Sequence, residues 1–207
     1  MDIKDLAPGT AVHEKGKRRV QEILQVATEV LAYEGYSNFT MRGIADRLGI
    51  KLRNVQYYFK TKENLFQAVI DQRLKRDIET AQQVVNREGL TDEERFLAFV
   101  DLSLEENTTP FFRGLQFELW ALANHDAFAA QCRDRMTMAY SNFIYELIKP
   151  LTAGQSDKVR KEKSVILLAM LQGFPLIEGS DVNIEFNLGN VRELFRDQAI
   201  RFVKTKY

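Results

Sequence analysis

An all-α fold follows from three observations on the sequence. Apolar residues recur at three- and four-residue spacing through one segment after another, and no stretch of strand period runs longer than a few residues. The segments are separated by short breaks carrying glycine, proline or capping residues, and no internal repeat interrupts the pattern. Residues 1–12, MDIKDLAPGTAV, hold Pro8 and Gly9 without a sustained period and form a flexible N-terminal arm. The first helix, about Lys17 to Tyr33, is marked by the stripe Val20, Ile23, Leu24, Ala27, Val30 and Leu31. At its start Lys15, Lys17, Arg18 and Arg19 face a single Glu14. Those cations are either a solvated helix start or a set of phosphate or minor-groove contacts.

Phe39 to Lys62, FTMRGIADRLGIKLRNVQYYFKTK, encodes two short helices and a tight turn. Thr40 caps a helix opening with Met41, Arg42 and Gly43, and Phe39 with Ile44 forms a hydrophobic staple across the cap. Ile44, Ala45 and Leu48 share one face, and Gly49 supplies the left-handed residue that ends the helix. In the second helix Leu52, Val55 and Phe59 align for burial. Arg53, Tyr57 and Lys60 then face outward, with Asn54 and Gln56 on the flanks.

That outward face is short of carboxylates. From Tyr36 to Lys62 the only acidic side chain is Asp46, set against Arg42, Arg47, Lys51, Arg53, Lys60 and Lys62. A phosphate backbone repels carboxylates, and here they are missing where such a backbone would lie. Arginine pairs bidentately with guanine, asparagine and glutamine with adenine, and tyrosine offers a ring to a thymine methyl. The surface is that of a helix-turn-helix that reads DNA. Lys51, Arg53, Asn54, Gln56 and Tyr57 are the base-contact candidates. Lys17, Arg18, Thr40, Arg42, Tyr58 and Lys62, at helix starts or on the rim, are the phosphate-contact candidates.

A long helix from Glu63 to about Glu88 follows, broken by Gly89, and Thr91 with Glu94 forms a capping box for the next. Pro110 marks a further break. FFRGLQFELWALAN and a segment from about Asp126 to Ile148 carry more large rings than one packed face requires. A penultimate helix holds the run Val165 to Leu171, and the last spans about Leu188 to Lys204.

With 207 residues the chain is long enough for a full core. Its 29 basic and 29 acidic side chains cancel, but unevenly: residues 1–62 hold 11 against 7 and the remainder 18 against 22. Cys132 is the one cysteine, so no internal disulfide forms. His13 and His125 stand in no metal-binding spacing with it, and neither a metal nor an organic cofactor is expected. No apolar run is long enough to span a bilayer and no signal core opens the chain, which makes the cytoplasm the expected compartment, with no membrane partner. No nucleophile motif or phosphate-cradling glycine loop points to an enzyme.

The first third of the chain resembles the TetR family of bacterial transcriptional repressors. The resemblance is carried by the helix from about Lys17 to Tyr33, by Gly35, Tyr36, Phe39, Thr40, Ile44, Ala45, Gly49, Ile50, Tyr58 and Phe59, and by Lys62 with Glu63 and Leu65. Departures from the family pattern are Lys51 in place of a capping serine or threonine, Arg53 in place of a glycine, and Gln56 in place of a tyrosine. The resemblance implies a three-helix DNA-binding domain over 13–62, linked to a larger helical ligand-binding and dimerisation domain over 63–207. It also implies a homodimeric repressor that a small apolar or aromatic ligand releases from a palindromic operator in double-stranded DNA.

Phe99, Phe117, Trp120, Met136, Tyr140 and Phe143 are the pocket candidates by that resemblance, and packing of the same side chains into a core is the competing reading. Arg113, Glu118 and His125 can either orient a ligand or form surface pairs. Ala169, Met170, Gly173 and Phe174 on one helix, with Phe195, Ala199, Ile200 and Phe202 on the last, are the dimer-interface candidates. A helical protein-interaction module that keeps this fold without sequence-specific DNA binding is the alternative.

Overall fold

The structure, a computed structural model, describes residues 14–178 and 189–206. The arm at 1–12, His13 and the expected helix start at Leu188 lie outside the described residues. Every regular element among those described is helical: α1 (Glu14–Glu34), α2 (Met41–Arg47), α3 (Leu52–Tyr58), α4 (Lys62–Val85), α5 (Asp92–Asn107), α6 (Pro110–Ala123), α7 (Ala127–Ile148), a 3-10 turn (Pro150–Thr152), α8 (Asp157–Glu178) and α9 (Val191–Lys204). Pro110 begins α6 at the position where a missing N–H costs nothing. Residues up to Asp77 together with Pro110–Asp134 form one compact unit, and Ile78–Thr109 with the residues from Arg135 form another. The boundaries fall within α4 and α7. The unit holding the helix-turn-helix thus takes in more than residues 13–62.

In the first unit the apolar stripe of α1 is fully buried at Val20, Ile23, Leu24, Ala27 and Leu31. Each such side chain contributes about 1.5–3 kcal/mol relative to exposure. Tyr36, Phe39 and Phe66 interlock, with Phe39 and Phe66 edge to face at 6.0 Å and Tyr36 and Phe66 at 5.4 Å. Helix α6 packs directly on α1 because Gly114 has no side chain. A Cβ there would lie 1.9 Å from the Ala32 carbonyl oxygen. Leu115 and Leu119 are buried on the same helix, and Phe111 meets Tyr33 at 5.8 Å. Just beyond α1, Gly35 takes φ +80° and leaves room for the Glu118 carboxylate, whose Oε2 accepts a 2.9 Å hydrogen bond from the Tyr36 N–H.

The second unit is built on Phe96, Val100, Leu104, Ile144, Leu167 and Val203. Helix α5 opens with the expected capping box: Thr91 Oγ1 accepts from the Glu94 N–H at 3.3 Å, and Glu94 Oε2 accepts from the Thr91 N–H at 2.8 Å. Arg95 donates to the Val85 carbonyl at the end of α4. The end of α9 is held by a charge taken inside. Lys163 is 1 % exposed, and its ammonium donates to the carbonyls of Val203 at 2.6 Å and Thr205 at 2.5 Å. Burial pulls its pKa below the ordinary lysine value, while two C-terminal carbonyls at the negative end of the helix dipole favour the charged form.

Two variants check these contacts by thermal unfolding of the purified protein. Gly114→Val forces α6 off α1 and destabilises by at least about 1–3 kcal/mol. Lys163→Met keeps the bulk but takes the ammonium donor away from the Val203 and Thr205 carbonyls, at a cost of about 1–3 kcal/mol. A melting temperature unchanged in either variant contradicts the corresponding contact.

Candidate nucleic-acid interface

Local chemistry sets the geometry of the α2–turn–α3 segment. The Thr40 side chain accepts from the Gly43 N–H at 3.0 Å and caps α2, while its hydroxyl hydrogen remains free to be donated outward. At the other end Gly49, at φ +63°, donates to the Asp46 carbonyl at 3.1 Å, and Ile50 donates to the Ala45 carbonyl at 3.0 Å. This paired closure reverses the chain within a few residues and launches α3. Lys51 occupies the cap position of α3 and makes no side-chain cap bond, as its departure from the family pattern suggests. Val55 and Phe59 are buried, as their spacing predicts, and Leu52 is half-buried. Phe59 leaves the helix in an extended conformation, which ends α3 after seven residues.

Lys51, Arg53, Asn54, Gln56 and Tyr57 are all exposed. Arg42, Lys51 and Arg53 have no ion-pair partner among the described residues, so their charges are available to an incoming anion. Tyr57 is exposed but not loose. Its ring meets Tyr58 edge-on at 5.0 Å, and the Lys60 ammonium lies 5.7 Å from its centroid while donating to its carbonyl at 3.3 Å. A side chain held this way loses little entropy on contact with a base.

The phosphate-contact candidates divide. Thr40 and Arg42 stand exposed at the start of α2, and Tyr58 is half-buried. Lys17 pairs with Glu14 at 2.9 Å and Arg18 with Glu22 at 3.2 Å, so both contribute a charge already partly balanced. Lys62 is engaged inward. Its ammonium donates to the Tyr36 carbonyl at 3.2 Å and sits 3.5 Å from the centre of the Tyr36 ring. Burial lowers its pKa, opposed by the neighbouring Glu63 carboxylate. Tyr36 is pushed the other way, its phenol pKa raised chiefly by burial and then by Glu63 and Asp126. Sequence reading did not single out Glu118 as the acceptor for Tyr36, because the two are 82 residues apart and nothing local marks the pairing.

Among the pocket candidates, Phe117 and Trp120 belong to the first unit and Phe99, Met136, Tyr140 and Phe143 to the second. Phe99 and Phe143 lie 5.3 Å apart, and Phe99 and Tyr140 pack against the second unit's core. The dimer candidates also divide. Ala169 is exposed, and a Cβ on Gly173 would meet nothing within 4 Å. Phe174 and Phe195 meet edge to face at 5.1 Å and, with Ile200 and Phe202, pack partly on the core of their own unit; Met170 is half-buried. Ala199 requires a correction. It is fully buried inside that core and has no surface to offer a second copy. Apolar exposure instead falls at Val165, Ile166, Leu176, Ile177 and Leu194.

Among the described residues no cluster of three metal-ligating side chains occurs, and no helix is long and apolar enough to cross a membrane. Residues 23–69 match the model of the family of bacterial regulatory proteins, tetR family. An uncharacterised HTH-type transcriptional regulator in the dhlA 5′ region of Xanthobacter autotrophicus is 24 % identical over 168 residues, covering 81 % of this chain and 80 % of its own length. Salmonella enterica GusR aligns in structure with a TM-score of 0.74 at 17 % identity, over 94 % of this chain and 99 % of its own. A TetR transcriptional regulator from Legionella pneumophila aligns with a TM-score of 0.67 at 20 % identity, over 86 % and 94 % of the two chains.

Arg53 is exposed and holds no ion pair among the described residues, so Arg53→Ala tests base contact without structural loss. We expect it to weaken binding to the preferred duplex by about 1–3 kcal/mol and relax preference at one base pair. Thermal stability should stay within about 0.5 kcal/mol of the parent. Arg42→Ala should weaken binding evenly across sequences and reduce the salt slope by about 1, read from titrations at several salt concentrations.

Proposed function

Since this chain belongs to the tetR family of bacterial regulatory proteins through its DNA-binding domain, and is a DNA-binding transcriptional regulator, we propose that it acts as a homodimeric repressor. A palindromic operator is its target, and a small apolar or aromatic molecule bound in the larger helical domain over 63–207 releases it. The observation that carries this reading is the exposed face of α3, where Arg53, Asn54, Gln56 and Tyr57 stand together without a carboxylate among them. Arg53 and Gln56 make the direct base contacts. Thr40, Arg42 and Tyr58 set register on the phosphates.

The two-fold pairing is supported by one apolar stripe on α8. Val165, Ile166, Ala169, Gly173, Leu176 and Ile177 fall within one face of the helix, and every large side chain among them is exposed in the single chain. A second copy covering that face brings the recognition helices one DNA turn apart, about 34–36 Å, and fixes the half-site spacing. The ligand acts by linkage. It lowers DNA affinity only as far as it prefers the dimer whose helices no longer match that spacing. A solved structure similar to this chain, from Saccharomonospora viridis, holds choline, which supports a small-molecule effector in this fold.

Selection from random duplexes at near-physiological salt tests the reading. We expect a palindrome with half-sites one turn apart. Recovery of no motif, with only weak salt-sensitive binding, would transfer the assignment to a protein-interaction module. Ile177→Glu places a charge in the proposed seam. Sedimentation should show a shift from dimer to monomer and at least a tenfold loss of operator affinity, whereas an unchanged dimer would place the seam elsewhere.

A further inference from the structure

Helix α6 presses one face against α1 and carries on another a polar side chain that the protein does not satisfy. Nε2 and Oε1 of Gln116 are both closed off from solvent, and neither has a hydrogen-bond partner. Folded chains avoid leaving a carboxamide in that state, and a bound molecule with matching groups removes the penalty. One helical turn before Gln116 stands Phe112, and one turn after it Trp120, so the amide lies between two rings along the helix. The Arg73 guanidinium is 4.7 Å from the centre of the Phe112 ring, and that of Arg133 is 5.9 Å from the Trp120 ring. Each of these cations is already matched, Arg73 by Asp77 at 2.7 Å and Arg133 by Asp134 at 2.8 Å. The strip therefore offers aromatic surface and one unmet amide, with the Arg73 and Arg133 charges already matched by carboxylates.

We infer that Gln116 is the specificity-determining residue of a small-molecule site on this face of α6, and that its ligand is an uncharged aromatic molecule carrying a donor and an acceptor side by side, as a carboxamide, lactam or urea does. The inference rests on the reading of the chain as a ligand-responsive regulator and names the chemical class of its effector. A donor on the ligand satisfies Oε1 while an acceptor beside it takes Nε2–H. A carboxylate can use Nε2 but sets its own lone pairs against Oε1. A hydrocarbon leaves both unmet, and a site built around a buried polar group rejects ligands that cannot pair with it.

Trp120 is the only tryptophan of the chain, so its fluorescence reports this site alone. Three probes of similar size, benzamide, benzoate and ethylbenzene, are titrated into the full-length protein, its Gln116→Leu variant and, as a second apolar replacement, Gln116→Met. Benzamide should bind the parent at least tenfold more tightly than either analogue. In both variants it should fall to the level of ethylbenzene, while the ligand-free melting temperature rises by about 2–4 °C because no buried amide is left unmet. Equal response to all three probes, a benzamide preference that survives both substitutions, or a fall in ligand-free stability in both would each overturn the proposal. Operator binding is measured separately. Benzamide preference without operator release would sink the effector reading and leave this site standing; operator release by a molecule that ignores Gln116 would do the reverse.

Discussion

The contact between α6 and α1 is the constraint on which the first unit depends. Hydrophobic burial brings the two helices together, but the distance between them is set by an absence: Gly114 leaves the Ala32 carbonyl in contact with bare helix backbone. At that separation the Glu118 carboxylate reaches the Tyr36 N–H, and Gly35 adopts the left-handed turn that clears its path. Tyr36 in turn stacks on Phe39, meets Phe66 edge to face, and receives the Lys62 ammonium on its ring and carbonyl. A chain of contacts thus runs from a helix far along the sequence to the residue next to the cap of α2. The helix-turn-helix is held from behind by a segment some 80 residues downstream of it in the chain.

Charges in this unit fall into two classes that the sequence does not separate. Arg47 is paired with Glu34 at 2.5 Å, Arg18 with Glu22 and Lys17 with Glu14, and Lys62 is turned inward. Arg42, Lys51 and Arg53 have no such partner among the described residues. Screening by salt weakens the paired group little as a phosphate attractor, since its field is already dipolar; the unpaired group supplies the steep part of the salt dependence. The exposed outer face of α3 and the unpaired cations therefore coincide on α2 and α3.

Much of this was legible in the sequence because it is local. The α2 cap at Thr40, the reversal at Gly49, the capping box of Thr91 and Glu94, and the inward and outward sides of α3 each depend on residues no more than a turn or two apart. What the sequence hid is what depends on long-range approach. Gly114 reads as an ordinary weak point in a helix until the Ala32 carbonyl is seen against it. Glu118 was open to a ligand or a surface pair, yet it serves a backbone amide. Ala199 sits on the apolar side of α9, and that periodicity cannot say whether a face meets its own core or a second copy. In the same way the spacing of Lys62 beside the recognition helix marks a cation without showing that the Tyr36 ring has captured it.

The junction at Gly35, Gly114 and Glu118 bears on how such a regulator diversifies. Residues on the outer face of α3 make few contacts within the protein, so they can change one at a time at little cost in folding. The junction has the opposite character. A larger residue at Gly114 displaces the helix that carries Glu118, and loss of Glu118 strands the Tyr36 amide, so a tolerated change at one position needs a compensating change at another. The outer face of α3 is therefore the part of this chain free to vary, and the connection behind it is the constrained one.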